Sequence, residues 1–283
     1  LTHTLTVNGS ILVPSTTTWT TTPTMNFGGT TTRTISFAPS GGGPPIAFTG
    51  VANYTLTANL TTRLVTSPVS WQVAGTMNLN NFNITCGSWF CSGTGTRTLN
   101  FGTGNIVLVT TAAGAVINMG DTTGFSATGT GGFRVAASVA RTISIGTTTT
   151  GTTILNGPPN LTVTSGSAIV SIGGTALSGI FKNADFSAYT GALASTTLSI
   201  YGALVLGSTN PTGLILNFRG GIGNTSFNPN GRAMTGALSI LMISNTFSLL
   251  GALTGATTVA LGSGTIDFQS NSLTASSTIN WTT

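Results

Sequence analysis

Short runs in which apolar and polar residues alternate recur along almost the whole chain. The stretch Gly95–Gly102 reads Gly-Thr-Arg-Thr-Leu-Asn-Phe-Gly. It is echoed by Thr-Thr-Arg-Thr-Ile-Ser-Phe at 31–37, Val-Ala-Arg-Thr-Ile-Ser-Ile-Gly at 139–146 and Ala-Ser-Thr-Thr-Leu-Ser-Ile-Tyr-Gly at 194–202. Each copy reads as a turn, a polar residue, an apolar–polar–apolar strand of period two, and usually a glycine. Period-two alternation predicts a strand, and a module that recurs within one chain predicts an architecture built by repetition.

The first apolar residues of successive triplets are Ile35, Leu56, Met77, Leu99, Ile117, Ile143, Leu161, Ile180, Leu198, Leu216, Leu238, Val259 and Ile279. Ile180 fits the pattern poorly, being followed by Phe181 and Lys182. The average step is about 20 residues, a repeat length typical of β-solenoids. An all-β fold is therefore expected: a β-solenoid (parallel β-helix) of about 20-residue coils, about fourteen in number. The alternative is a β-sandwich filament subunit. A closer internal match, Gly75-Thr-Met-Asn-Leu with Gly264-Thr-Ile-Asp-Phe, supports repetition.

Val51–Phe90 reads as three strands, and Ser40–Pro45 and Gly157–Asn160 as breaks. Asp121–Gly132 and Arg219–Thr235 read as loops, and Ala237–Leu253 as a buried strand pair. No change of composition divides residues 1–283, which are expected to form a single elongated solenoid. The chain starts at Leu1 rather than at methionine, which reads as a processed terminus or a segment of a longer protein.

Composition sharpens this picture. Only 4% of the residues are charged while 40% are hydrophobic, so disorder is not expected. Abundant Thr, Val and Ile favour sheet. In a solenoid, main-chain pairing between coils about 4.8 Å apart can replace charge as the organising interaction, with Thr, Ser and Asn in outward ladders. The net charge of +5 reflects a scarcity of acids, and the seven arginines and one lysine are scattered. Nucleic-acid binding requires clustered bases and is not expected. Membrane insertion is not expected either, because no run of eighteen solidly apolar residues occurs. The open ends of a solenoid are sheet edges, so self-association as a homotrimer or filament is expected.

Candidate chemistry is sparse. Cys86 and Cys91, in Thr-Cys-Gly-Ser-Trp-Phe-Cys-Ser, admit a local disulfide or two small buried thiols. Two cysteines cannot close a structural zinc site, and the single His3 is distant in sequence. No metal or other cofactor is expected. The acids are Asp121, Asp185 and Asp267; glycoside hydrolysis would need two of them about 5–10 Å apart, and three coils already separate the first two. No enzyme is expected. Arg33, Arg97 and Arg141 each sit one residue before a predicted strand. They read either as a cationic stripe for anionic glycans or as corner residues that bond exposed carbonyls with their heads in water. The Asn-x-Ser/Thr sequons occur as often as chance supplies, although sugars would help solubilise so uncharged a surface. Trp19, Trp71, Trp89, Tyr54, Tyr201 and Trp281 read as a sugar-stacking surface or as core and corner residues.

At its Arg-Thr-(Ile/Leu)-(Ser/Asn)-(Phe/Ile)-Gly units the chain resembles repetitive β-rich structural proteins of tailed bacteriophages, tail fibres above all. It is also similar to long bacterial surface adhesins and extracellular filaments. The resemblance covers most of the chain in style and implies no site residues. It implies an extracellular or virion-surface fibre segment that acts as a rigid spacer and a surface or host contact, with cell-surface glycans as partners. Alternatives are a polymerising pilus-like filament subunit, a tailspike-type polysaccharide depolymerase, and more distantly an outer-membrane barrel.

Overall fold

The computed structural model describes all residues except 1–3, 20–22, 40, 63–66, 94, 121–123, 147–156, 174–178, 196, 209–210, 221–222, 243–244 and 282–283. The protein is a parallel β-solenoid: all-β, with about 11 turns roughly 22 residues apart. The turns are fewer than the 20-residue step implies because some coils are longer. Thr98 and Ser126, which face each other in adjacent coils, are 28 residues apart in sequence. The chain divides into two compact units, residues 1–135 with 149–157 and residues 136–148 with 158–283. The second resumes at Pro158, inside the Gly-Pro-Pro-Asn break.

In the first unit the strands lie on three sides, the third joining from the coil of Ile46–Phe48 onward. One side stacks Leu5–Val7, Met25–Phe27, Ile46–Phe48, Pro68–Trp71, Ser88–Phe90 and Gly114–Met119. The next stacks Ile11–Val13, Arg33–Phe37, Ala52–Leu56, Gly75–Asn78, Arg97–Asn100 and Phe125–Thr128. On the third, Leu60 pairs with Ile84, Ile84 with Ile106 and Ile106 with Phe133. Every one of these ladders is parallel. Among its described residues the segment Val51–Phe90 thus holds six strands rather than three, because one coil supplies three short ones. The Gly/Thr stretch 121–132 contains the strand Phe125–Thr128, whose alternation is disguised by small residues.

Alternation places one set of residues inside. In register across coils, Ile35 meets Leu56 and Met77 meets Leu99. Met77, however, lies opposite Tyr54 rather than Leu56, a shift of two residues that keeps every side chain on its face. Large rings fill the interior: Phe27 stacks on Phe48 at 5.2 Å, Phe48 meets Tyr54 at 4.8 Å, and Trp71 meets Trp89 edge-on at 6.5 Å. Outward positions form the expected polar ladders, such as Thr34, Thr55, Asn78, Asn100 and Thr128 in successive coils.

Asparagines clamp the corners of the first unit. The Asn83 N–H donates to Asn59 Oδ1 at 2.8 Å, and the Asn105 N–H to Asn83 Oδ1 at 2.8 Å. At Gly131 the coils approach so closely that a Cβ would stand 1.7 Å from the Gly104 carbonyl oxygen, a position only glycine can fill.

The second unit is built on two long ladders. One runs through Gly179–Phe181, Thr197–Ile200, Ile215–Arg219, Ala237–Leu241, Leu253–Leu261 and Leu273–Trp281; the other through Asn160–Ser165, Ala184–Asp185, Ala203–Val205, Thr225–Asn228, Thr246–Leu249 and Thr265–Asp267. Leu198, Leu216, Leu238, Val259 and Ile279 stand in register in five successive coils. Gly179, not Ile180, occupies the position before Leu198. A shorter side pairs Arg141–Ile143 with Val170–Ile172 and then Leu193–Ser195, after which it thins to single bridges at Thr212 and Thr235. The stretch Arg219–Thr235 contains the strand Thr225–Asn228. Ala237–Leu253 holds the expected strand pair, Ala237–Leu241 and Thr246–Leu249, each in a different ladder.

Candidate functional site

The three arginines of the recurring unit point inward. Arg33 is 4% exposed, Arg97 0% and Arg141 2%, each at the first position of its strand. Arg97 Nε donates to the Gly95 carbonyl at 3.1 Å, one NH2 group donates to Cys91 Sγ at 3.1 Å, and the guanidinium lies 5.9 Å from the Phe125 ring centre. Its register partner in the preceding coil is Gly75, which carries no side chain. Arg141 Nε donates to the Ala136 carbonyl at 3.2 Å. Arg33 lies beneath Gly29, where a Cβ would stand 2.0 Å from its guanidinium. It acts electrostatically on Tyr54, whose phenol is raised mainly by burial, with Arg33 opposing. Arg97 and Arg141 brace corner carbonyls from within and Arg33 is likewise buried, so neither the open stripe nor the water-facing corner describes these side chains.

Cys86 and Cys91 are free thiols, and both are fully buried. Cys86 ends the strand Ile84–Cys86, and Cys91 follows Ser88–Phe90. Burial pushes the Cys86 thiol far above its ordinary value. Burial also pushes Cys91 up to about 11, with the neighbouring Arg97 charge and hydrogen bond opposing. Thiols held neutral in this way are poor nucleophiles and poor ligands.

Asp185 and Asp267 do the same structural job at two corners. Asp185 Oδ1 accepts the Ser187 N–H at 2.8 Å, and Asp267 Oδ1 accepts the Gln269 N–H at 2.9 Å. In each case the next residue's carbonyl, of Phe186 or Phe268, accepts an N–H three residues further on, from Tyr189 or Asn271. The turn recurs with asparagine at Asn78, Asn100 and Asn228, whose Oδ1 atoms accept the N–H of Asn80, Gly102 and Asn230 at 2.9, 3.0 and 2.9 Å. Positive φ at Asn80, Gly102, Asn230 and Gln269 turns the chain.

The strands of Asp185 and Asp267 are four ladder steps apart, about 19 Å along the stack, well beyond the spacing of a paired-carboxylate site. Asp121 and His3 lie outside the described residues. Among the described residues no group of three or more His, Cys, Asp or Glu side chains could hold a metal ion, and no helix is long and apolar enough to cross a membrane.

Of the aromatic candidates, Tyr54, Trp71 and Trp89 are sealed inside and Tyr201 is 8% exposed, whereas Trp281 is 71% exposed. The corner turn is the feature that the sequence reading passed over. Its signal, an Asn or Asp followed by an apolar residue at a strand end, underlies the match between Gly75–Leu79 and Gly264–Phe268.

Comparison with known proteins finds no family model, characterised protein or solved structure that matches the chain. The class is therefore defined by the fold itself, a parallel β-solenoid, an architecture consistent with repetitive β-rich fibre-like proteins.

Proposed function

We propose that the chain is a structural segment of an extracellular or virion-surface fibre, acting as a rigid spacer and a surface contact, and that it works in a self-associated state. The observation that carries this reading is the stack itself. Coil after coil pairs in parallel register within each unit, and several of the ionisable side chains serve that stacking. Asp185 and Asp267 turn corners, Arg97 and Arg141 brace carbonyls from inside, and both thiols are sealed in the core. A solenoid of this kind derives stability from nearest-neighbour interfaces repeated along its length, which suits a part that must resist proteolysis and transmit contact.

The test is limited digestion with a protease of broad specificity, together with negative-stain microscopy of the native assembly. The expected result is an undigested chain in narrow fibres. Rapid digestion to small peptides, or compact single particles only, would overturn the proposal.

A further inference from the structure

In the second unit Phe181 is in register with Ile200, Ile200 with Phe218, and Phe218 with Ile240. The residues that follow these four, Lys182, Tyr201, Arg219 and Leu241, therefore occupy the same corner in successive coils, and Arg219 is the registered partner of Leu241. The backbone at this corner is pinned. The Lys182 N–H donates to the Pro159 carbonyl at 2.9 Å, the Tyr201 N–H to Phe181 at 3.1 Å, and the Gly220 N–H to Leu241 at 2.9 Å. Lys182 is exposed and Arg219 half-buried. Arg219 lies near enough to Tyr201 to act on its phenol electrostatically. Among the described residues neither cation is in an ion pair, and the carboxylates of this unit, Asp185 and Asp267, are engaged in their corner turns. Two outward cations thus stand two coils apart, about 10 Å, with the almost buried Tyr201 in the coil between them.

We propose that the corner Lys182–Tyr201–Arg219 is a contact site for a linear acidic polysaccharide that carries a carboxylate on every second sugar. An extended pyranose chain advances per sugar by nearly one strand spacing, so such a polymer laid along the stack brings one carboxylate to each cation. The uncharged sugar between them lies over the backbone at Tyr201 and Gly202, the Tyr201 side chain being almost covered. A guanidinium takes a carboxylate through paired N–H donors, and an ammonium takes it as a point charge. Regular strand pairing fixes the cation spacing before binding, so little ordering is required. Duplex DNA, with far denser charge, has no reason to prefer this spacing.

The site deepens the surface-contact part of the proposed function and rests on it. The test is affinity electrophoresis of the full chain at low salt through gels containing hyaluronate, dextran or duplex DNA. The expected result is retardation by hyaluronate alone, with apparent affinity falling about 3-fold in Lys182→Gln or Arg219→Gln and about 10-fold in the double variant. Arg134→Gln, an exposed cation outside the corner, is expected to change nothing. Full retardation of the double variant, equal retardation by dextran or DNA, or no retardation by hyaluronate would overturn the site. Lys182 is exposed, so its variant tests the site even if Arg219→Gln disturbs folding. A chain that forms protease-resistant fibres but is not retarded loses this site and keeps its structural role; a digestible single particle that is retarded does the reverse.

Discussion

Replacing Asp185 separates a corner from a catalytic carboxylate. Asp185 Oδ1 accepts the Ser187 N–H at 2.8 Å, and three sister corners make the same bond with asparagine. Asp185→Asn keeps an acceptor oxygen in the same place, and the bond is exposed, so stability should change by no more than about 0.5 kcal/mol. Asp185→Ala removes the acceptor and should cost about 0.5–1.5 kcal/mol, toward the lower end because water can reach the freed N–H. Each kcal/mol should lower the melting midpoint by about 2–4 °C in a protein of this size. Because stacked coils can open locally, hydrogen exchange at the Ser187 amide is the sharper assay, with protection retained in the Asn variant and lost in the Ala variant. Asp267→Asn should behave alike, and the double Asn variant should be additive at this separation. An Asn variant as destabilised as the Ala variant would refute the corner assignment. Loss of a surface or assembly function in a stably folded Asn variant would show that the carboxylate does more than turn the chain.

Tyr189, 1% exposed, holds a second corner from inside. Its hydroxyl lies 2.6 Å from the Ala168 carbonyl and 2.8 Å from that of Ala192, and it accepts the Val170 N–H at 3.0 Å. Val170 N–H also reaches the Ala192 carbonyl, so Tyr189→Phe chiefly strands Ala168 and should cost about 1–3 kcal/mol in urea denaturation; a cost under about 0.5 kcal/mol would be inconsistent with that role. The buried thiols set a pH dependence. Cys91 is raised from 9.0 to about 11, so between these values the unfolded chain loses its proton first and stability falls as pH rises, by up to about 1.4 kcal/mol per pH unit for that thiol. Denaturation midpoints should decline from pH 9 to pH 10, with a shallower slope in Cys91→Ala. Flat midpoints, or rapid reaction of both thiols with a disulfide reagent at pH 8, would contradict the buried, neutral assignment.

Much of the fold is legible in the sequence because strand alternation is a local signal. The run from Leu198 to Ile279 is in register as its spacing predicts. Where small residues replace the apolar ones, as around Phe125 and Thr225, the same strands read as loops. The inward arginines were also encoded by parity: Arg97 stands two residues before Leu99 and so shares its face. Charge suggested solvent, but the alternation outweighed it, because shifting the register by one residue would expose Leu99 and Phe101 together. The corner turns were harder to read, since they depend on a bond between Oδ1 and a backbone N–H two residues on, for which Asn, Asp and Gly share duties. The Lys182–Tyr201–Arg219 corner was not legible at all. Its members are neighbours only through pairings across separate coils.

An inward arginine with no carboxylate beside it would ordinarily be a costly arrangement, because burying an unpaired charge loses several kcal/mol of hydration. The coil supplies what a carboxylate otherwise would. At each corner the chain leaves the ladder for a few residues, and its carbonyls lose their regular partners. Those of Gly95 and Ala136 turn toward the interior, where Arg97 and Arg141 meet them. A guanidinium with five donors suits such dispersed acceptors better than a lysine ammonium could, and lysine occurs at none of these positions. Charge placed inside in this way leaves the outer surface with few charges, so copies of the chain, if they associate as proposed, would meet little electrostatic repulsion. It also gives the few cations left outside a disproportionate share in choosing what that surface touches. Lys182 and Arg219, held on one corner by backbone pairing, are the pair most directly placed to make that choice.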